Sequence, residues 1–286
     1  MAGNPPTTRR LNTRLVTLLV MVALAAVGGG GYVLWLHRSD NPGCETPDRS
    51  TSCTRVLFLG NSYTSVNDLP TMFGDLAWSG GHRVETAAQD PGGWTLADHL
   101  NSNDLQSLLT SKPWDIVVLQ EQSQIPSVPA SRQAIMYPAA RQLVRMIHNA
   151  GAQPLFYMTW AHRTGWLQEG MRDYISMQAS IETGYLTIAK ELSAAVAPVG
   201  PAWVALVAEQ PALGLWSDDG SHPTTAGTYL AASVFYAAIF NASPINLSYQ
   251  SDLASADAAA VQGIAATTVL SEPSTWGLPV GGSAAG

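Results

Sequence analysis

Two short polar blocks stand far apart in the chain: Gly60-Asn61-Ser62-Tyr63-Thr64 follows an apolar run, and Asp219-Gly220-Ser221-His222-Pro223 comes late. A serine hydroxyl becomes a useful nucleophile only when an imidazole within hydrogen-bond reach takes its proton and a carboxylate holds that imidazole in one tautomer. Ser62, His222 and Asp219 supply those three groups, and the three-residue spacing of Asp219 and His222 lets one loop carry acid and base together. Each residue also has a plainer reading taken alone. Ser62 could be a turn or cap residue, and the late block a polar turn before a helix opened by Pro223. Their joint occurrence points to ester hydrolysis through an acyl-enzyme.

Such a serine needs a strand to present it. Val56-Leu57-Phe58-Leu59 is short, continuous and apolar, as expected of a strand buried on both faces. Leu69, Met72, Phe73, Leu76 and Ala77 then share a helical face, and Gly80-Gly81 ends that helix. Further strands are expected over 83–88, 115–120, 154–160 and 196–199. Between and after them come a helical stretch containing Leu96, Leu100, Leu105 and Leu108, and helices over about 131–150, 168–194, 224–240 and 254–269. Parallel strands need crossover helices, so this alternation predicts an α/β fold, a three-layer α/β/α sandwich with a mainly parallel sheet of about five strands. Ligands gather at the carboxyl ends of strands in such sheets, which places Ser62, Gly93, Gln122 and Trp160 on one rim.

The stretch from about Arg55 to Val269 resembles an SGNH hydrolase of the GDSL-like esterase and lipase group, a flavodoxin-like fold. The matching pieces are Gly60-Asn61-Ser62, Gly93-Trp94-Thr95 and Asp219-Gly220-Ser221-His222. The resemblance implies Ser62 as nucleophile, His222 as base, Asp219 as its orienting partner, and the backbone amides of Ser62 and Gly93 as oxyanion-hole donors. One block departs from the family, which usually has Gly-x-Asn-Asp after the third strand with the asparagine amide aimed at the oxyanion. This chain reads Gln120-Glu121-Gln122-Ser123-Gln124. A glutamine amide offers the same donor on a longer arm. Strand alternation would point Gln120 and Gln122 to one side together, with Gln122 preferred as the donor, whereas ungapped comparison puts Gln124 at the asparagine position.

Trp94, Trp160 and His162 share the expected rim and are candidates for substrate contact, the rings as an apolar or sugar-stacking wall. Core packing is the plainer fate of such rings. His37, His82, His99 and His148 fall in flanks or in helices expected at the surface, and are read as solvated or structural.

A length of 286 residues and a hydrophobic content of 46% suit one α/β domain with appendages. A formal charge of −7, with Lys112 and Lys190 the only lysines, argues against nucleic acid as a partner. Residues 1–14 read as a basic cytoplasmic start and 15–36 as a transmembrane signal anchor, with Arg9, Arg10 and Arg14 on the cytoplasmic side and Trp35 at the opposite interface. Cleavage near Ala23-Leu24-Ala25, giving a secreted protein, is the rival reading. Residues 37–54 form an extracytoplasmic linker whose Cys44 and Cys53 are a disulfide candidate, 55–270 the hydrolase domain, and 271–286 a disordered tail. No further cysteine or histidine cluster completes a zinc set, and the inferred chemistry needs neither metal nor organic cofactor. The combined expectation is a membrane-anchored, extracytoplasmic serine esterase acting on short acyl esters, such as acetyl groups on an envelope glycan. An O-acyltransferase using the same acyl-enzyme, and a catalytically silent glycan-binding module, are the alternatives.

Overall fold

The computed structural model describes residues 41–45 and 52–279. The apolar stretch 15–36 lies outside the described residues, among which no helix is long and apolar enough to cross a membrane. Five strands form one sheet: β1 (Cys53–Leu59), β2 (Arg83–Gln89), β3 (Ile116–Leu119), β4 (Gln153–Met158) and β5 (Ala195–Pro198). Their order is β2-β1-β3-β4-β5, and every neighbouring pair is parallel. Residues 56–59, 117–119 and 156–158 are almost wholly excluded from solvent, which is why these strands read as unbroken apolar runs rather than alternating ones. Leu59 lies opposite both Gln89 and Leu119, so β1, β2 and β3 end at one level. That shared level is the rim on which the site is built.

Among the described residues the main helices are α1 (Ser62–Ser65), α2 (Leu69–Ser79), α3 (Leu96–Asn101), α4 (Leu105–Thr110), α5 (Tyr137–Asn149), α6 (Tyr174–Leu192), α7 (Val199–Glu209), α8 (Thr225–Phe240) and α9 (Ser255–Leu270), with a helical turn at Pro129–Ser131 and a π-helical stretch at Arg132–Met136 leading into α5. Helices α2, α7, α8 and α9 pack together on one face of the sheet, and α3, α5 and α6 cover the other. Side chains start several of them. Thr95 and Asp98 form a reciprocal capping box on α3, Asp173 and Ser176 do the same on α6, and the Thr224 hydroxyl accepts the Gly227 amide of α8.

Several expectations are corrected. The leucine-rich stretch 96–108 is two helices rather than one, because Ser102 turns extended and the polar run 101–104 favours local side-chain bonding over helix. The helix expected from 168 begins only at Tyr174; before it, Trp166 bridges Met171 and Gly170 takes a left-handed turn. Helix α7 is not among the expected elements; Pro201 sits in its first turn, where no intrahelical N–H is needed. The tail is ordered at its start: Pro273–Trp276 forms a 3-10 turn, the Trp276 indole donates to the Thr268 carbonyl at 2.9 Å, and Leu278 is buried. At the other end, Cys44 and Cys53 form a disulfide, Asn41 donates to the Val84 carbonyl at 2.6 Å, and Arg83 donates to the Gly43 carbonyl at 2.8 Å. The described part of the linker is thus tied to the starts of β1 and β2, at the end of the sheet away from the rim.

Candidate active site

At the end of β1 the chain turns through Gly60, where a Cβ would lie 2.3 Å from the Thr64 hydroxyl and 2.8 Å from the Gln120 amide oxygen. Only glycine permits that approach. Asn61 then caps α1 by accepting the Tyr63 amide at 3.1 Å, and Ser62 is the first residue of the helix. From the far end of the chain, Asp219 Oδ1 accepts the backbone amides of Ser221 (2.9 Å) and His222 (3.0 Å), which shapes the late loop. Its other oxygen, Oδ2, is 2.5 Å from His222 Nδ1, and His222 Nε2 is 2.9 Å from Ser62 Oγ. The His222 contact, aided by the Ser221 amide, lowers the Asp219 carboxyl to about 2. An ionised Asp219 keeps the proton of a neutral imidazole on Nδ1 and leaves Nε2 able to take the serine proton.

In the cleft that His222 also lines, Gly93 adopts a φ of +78°, and nothing lies within 4 Å of where a Cβ would stand, so here glycine answers a conformational need rather than a shortage of space. Among the described residues the Ser62 and Gly93 amides have no intramolecular acceptor. Both face a cleft of about 370 Å³ that Gln122, Gln124, His162 and His222 also line. The Gln122 Oε1 accepts the amides of Gln124 (2.9 Å) and Ile125 (3.3 Å), which leaves its amide nitrogen with contacts only at 3.5 Å, to Ser123 Oγ and Gln124 Oε1. That nitrogen has donor capacity to spare. A larger hollow of about 560 Å³, between α6 and the turn at Trp276, lies apart from these groups.

Several supporting residues were not legible from their types. Gln120 is fully buried: its Oε1 accepts the Asn61 amide (2.9 Å) and the Thr64 hydroxyl (3.0 Å), while its nitrogen donates to Asn61 Oδ1 (2.9 Å). Asn61 in turn donates to the Trp94 carbonyl at 2.8 Å, so one amide pair links all three rim loops. His99, expected on a helix surface, is fully buried, with Nε2 2.8 Å from the Gly60 carbonyl oxygen and its pKa lowered by burial. Its spacing from Leu96 on one helical face was the signal. Tyr63, pushed up to about 12 by burial, shares a 2.6 Å hydrogen bond with Ser221 and so braces the loop that carries His222.

The three substrate-contact candidates separate. His162 does line the cleft, 3.2 Å from Ser123 Oγ, and burial lowers its pKa. Trp94 is half-buried and packs edge-on to His99 at 5.1 Å, outside the cleft lining. Trp160 is a correction. It is fully buried, stacked between Tyr63 at 4.5 Å and Trp203 at 4.0 Å, and its indole donates to the Ser221 carbonyl at 2.9 Å, so it supports the late loop from beneath and is not part of the cleft lining.

No family model and no curated protein matches the chain. Among solved structures, a protein of Slackia heliotrinireducens provisionally assigned as an SGNH hydrolase is 33% identical, with a TM-score of 0.54 over 65% of this chain and 98% of its own. A DUF4886 family protein from Bacteroides uniformis is 19% identical, with a TM-score of 0.66 over 77% of this chain and 95% of that one. An acetyl xylan esterase is 14% identical, with a TM-score of 0.52 over 65% of this chain and 99% of that one. The last two likenesses concern the fold. A parallel five-stranded sheet between two helical layers, together with the Slackia likeness, defines the class as α/β ester hydrolases. The chain belongs to the SGNH hydrolase family.

Proposed function

We propose that this protein is an extracytoplasmic serine esterase that removes short acyl groups, acetyl above all, from hydroxyl-rich alcohols such as glycans. Ser62 attacks the ester carbonyl, His222 takes its proton and returns it to the leaving alcohol, and Asp219 holds and stabilises the imidazolium that forms. The backbone amides of Ser62 and Gly93, with the Gln122 side chain, receive the developing oxyanion. Water then resolves the acyl-enzyme.

The observation that carries this reading is the unbroken relay of 2.5 Å from Asp219 to His222 and 2.9 Å from His222 to Ser62, at the mouth of a cleft. The cleft is small, and among the described residues no aliphatic side chain lines it, which favours a short acyl group over a lipid chain. Tyr63, Ser123, His162 and Ser221 give it polar walls suited to a sugar hydroxyl. An acetyl xylan esterase shares the fold, in keeping with such a substrate. An extracytoplasmic location is supported by the Cys44–Cys53 disulfide and by the arginine-flanked apolar stretch 15–36.

Turnover of aryl acetate, aryl decanoate and an acetylated xylo-oligosaccharide, with fluorophosphonate labelling and peptide mapping, tests the proposal. Labelling at Ser62 and preference for the acetyl esters are expected. A folded protein that neither labels nor turns over any ester is instead a binding module.

A further inference from the structure

Glu121 is a buried acid that the proposed reaction does not use. It lies two residues beyond the end of β3, and its side chain is fully excluded from solvent. Oε1 accepts two backbone amides, Gln122 N–H at 2.7 Å and Leu96 N–H at 3.2 Å. Those amides belong to different loops. Leu96 lies three residues after Gly93, and Gln122 carries the side-chain donor, so a single oxygen spans the two arms of the oxyanion hole. Oε2 is buried with no hydrogen-bond partner among the described residues. On the peptide backbone, the Glu121 amide donates to the Tyr185 hydroxyl at 3.1 Å, which fixes the residue against α6.

We propose that Glu121 is a positioning residue of the oxyanion hole, setting the distance between the Gly93 and Gln122 loops through its one doubly bonded oxygen. This rests on the esterase reading above. Oxyanion donors act only when held where charge develops, and displacement by about 1 Å costs on the order of a hundredfold in rate. Below about pH 7 the brace is a neutral acid. An ionised carboxylate would leave a charge on the unpartnered Oε2 and would oppose an oxyanion forming nearby. Asp98 on α3 and Tyr185 on α6 are the titratable groups beside it, and neither is a cation. Burial, with the Asp98 charge adding to it against the pull of the two amides, raises the Glu121 carboxyl to about 7. A raised carboxyl binds its proton more tightly in the folded protein, so its contribution to stability is whole below about pH 4.3 and is lost as pH rises toward 7.

The test compares wild type, Glu121→Gln and Glu121→Asp in the full chain, with Ser62→Ala as the blank. Glutamine keeps the length and the accepting oxygen without an ionisable proton; aspartate keeps the acid but falls one methylene short. Glu121→Asp is expected to lose about tenfold or more in kcat with KM nearly unchanged, and Glu121→Gln to remain within about threefold of wild type. The urea midpoint of Glu121→Gln relative to wild type should rise between pH 5 and pH 8. Full activity in Glu121→Asp, or a Glu121→Gln as slow as Glu121→Asp, overturns the bracing role. If wild type turns over no ester, or Ser62→Ala matches it, the esterase reading falls first and this inference falls with it.

Discussion

His222 Nε2 and Ser62 Oγ stand 2.9 Å apart although 160 positions separate the residues along the chain. Neither end of that contact is made by its own segment alone. Asn61 and Gln120 hold the serine turn, while Asp219, through three hydrogen bonds, and Tyr63, through Ser221, hold the histidine loop.

In the proposed reaction nucleophile and base act as one unit, so Ser62→Ala and His222→Ala should each lower kcat on aryl acetate by about a thousandfold or more, and the double variant should be little worse. Steady-state kinetics decide this. Losses that multiply in the double variant would mean that the two side chains act separately.

Asp219 ties its charge state to stability. Its carboxyl lies near 2 in the folded protein against about 3.9 in an unfolded chain, so its contribution is whole above about pH 4 and is lost as pH falls toward 2. The gap in urea midpoint between wild type and Asp219→Asn should therefore narrow from pH 5 to pH 2.5. A constant gap would contradict the pairing.

Gln122→Ala should lower kcat about a hundredfold while the protein stays folded, since its amide nitrogen lines the cleft with contacts only at 3.5 Å and its oxygen is held by two backbone amides. Gln124→Ala serves as the comparison. A collapse in Gln124→Ala alongside a normal Gln122→Ala assigns the role to Gln124.

Removing the Gln120 side chain strands the Asn61 amide and the Thr64 hydroxyl in a buried setting. Gln120→Ala should thus cost about 2 to 4 kcal/mol of stability and reduce kcat, both measurable on one preparation by urea unfolding and turnover. Normal stability with Gln120→Ala would show that the brace is dispensable.

Trp160→Ala should act through folding rather than substrate affinity. Loss of a fully buried ring stacked on two others is expected to cost about 3 to 5 kcal/mol. Trp160→Phe, which keeps most of the packing, should leave KM near wild type. A KM raised severalfold in a stable Trp160→Phe would restore the substrate-contact role.

Much of the fold is written locally. Unbroken apolar runs such as residues 56–59 and 117–119 can be satisfied only where both faces are covered, and their alternation with helical faces leads to a parallel sheet without any coordinates. The spacing of Asp219 and His222 is likewise local, because one loop carries both. Glycine at 60 and 93 could be placed in tight turns by type alone.

What the sequence left open was decided between segments. Gln120, Glu121, Gln122 and Gln124 are near-identical polar residues at a strand end, and whether each is buried or faces the cleft depends on which loops approach from elsewhere. Asn61 and Leu96 settle the first two by offering backbone and side-chain partners that compensate burial. His99 and Trp160 depart from expectation for the same reason. Residue type sets what a side chain can bond, but its solvent exposure and its partner are properties of the packed chain. In this protein they exist only once β1, β2, β3 and the late loop share one rim.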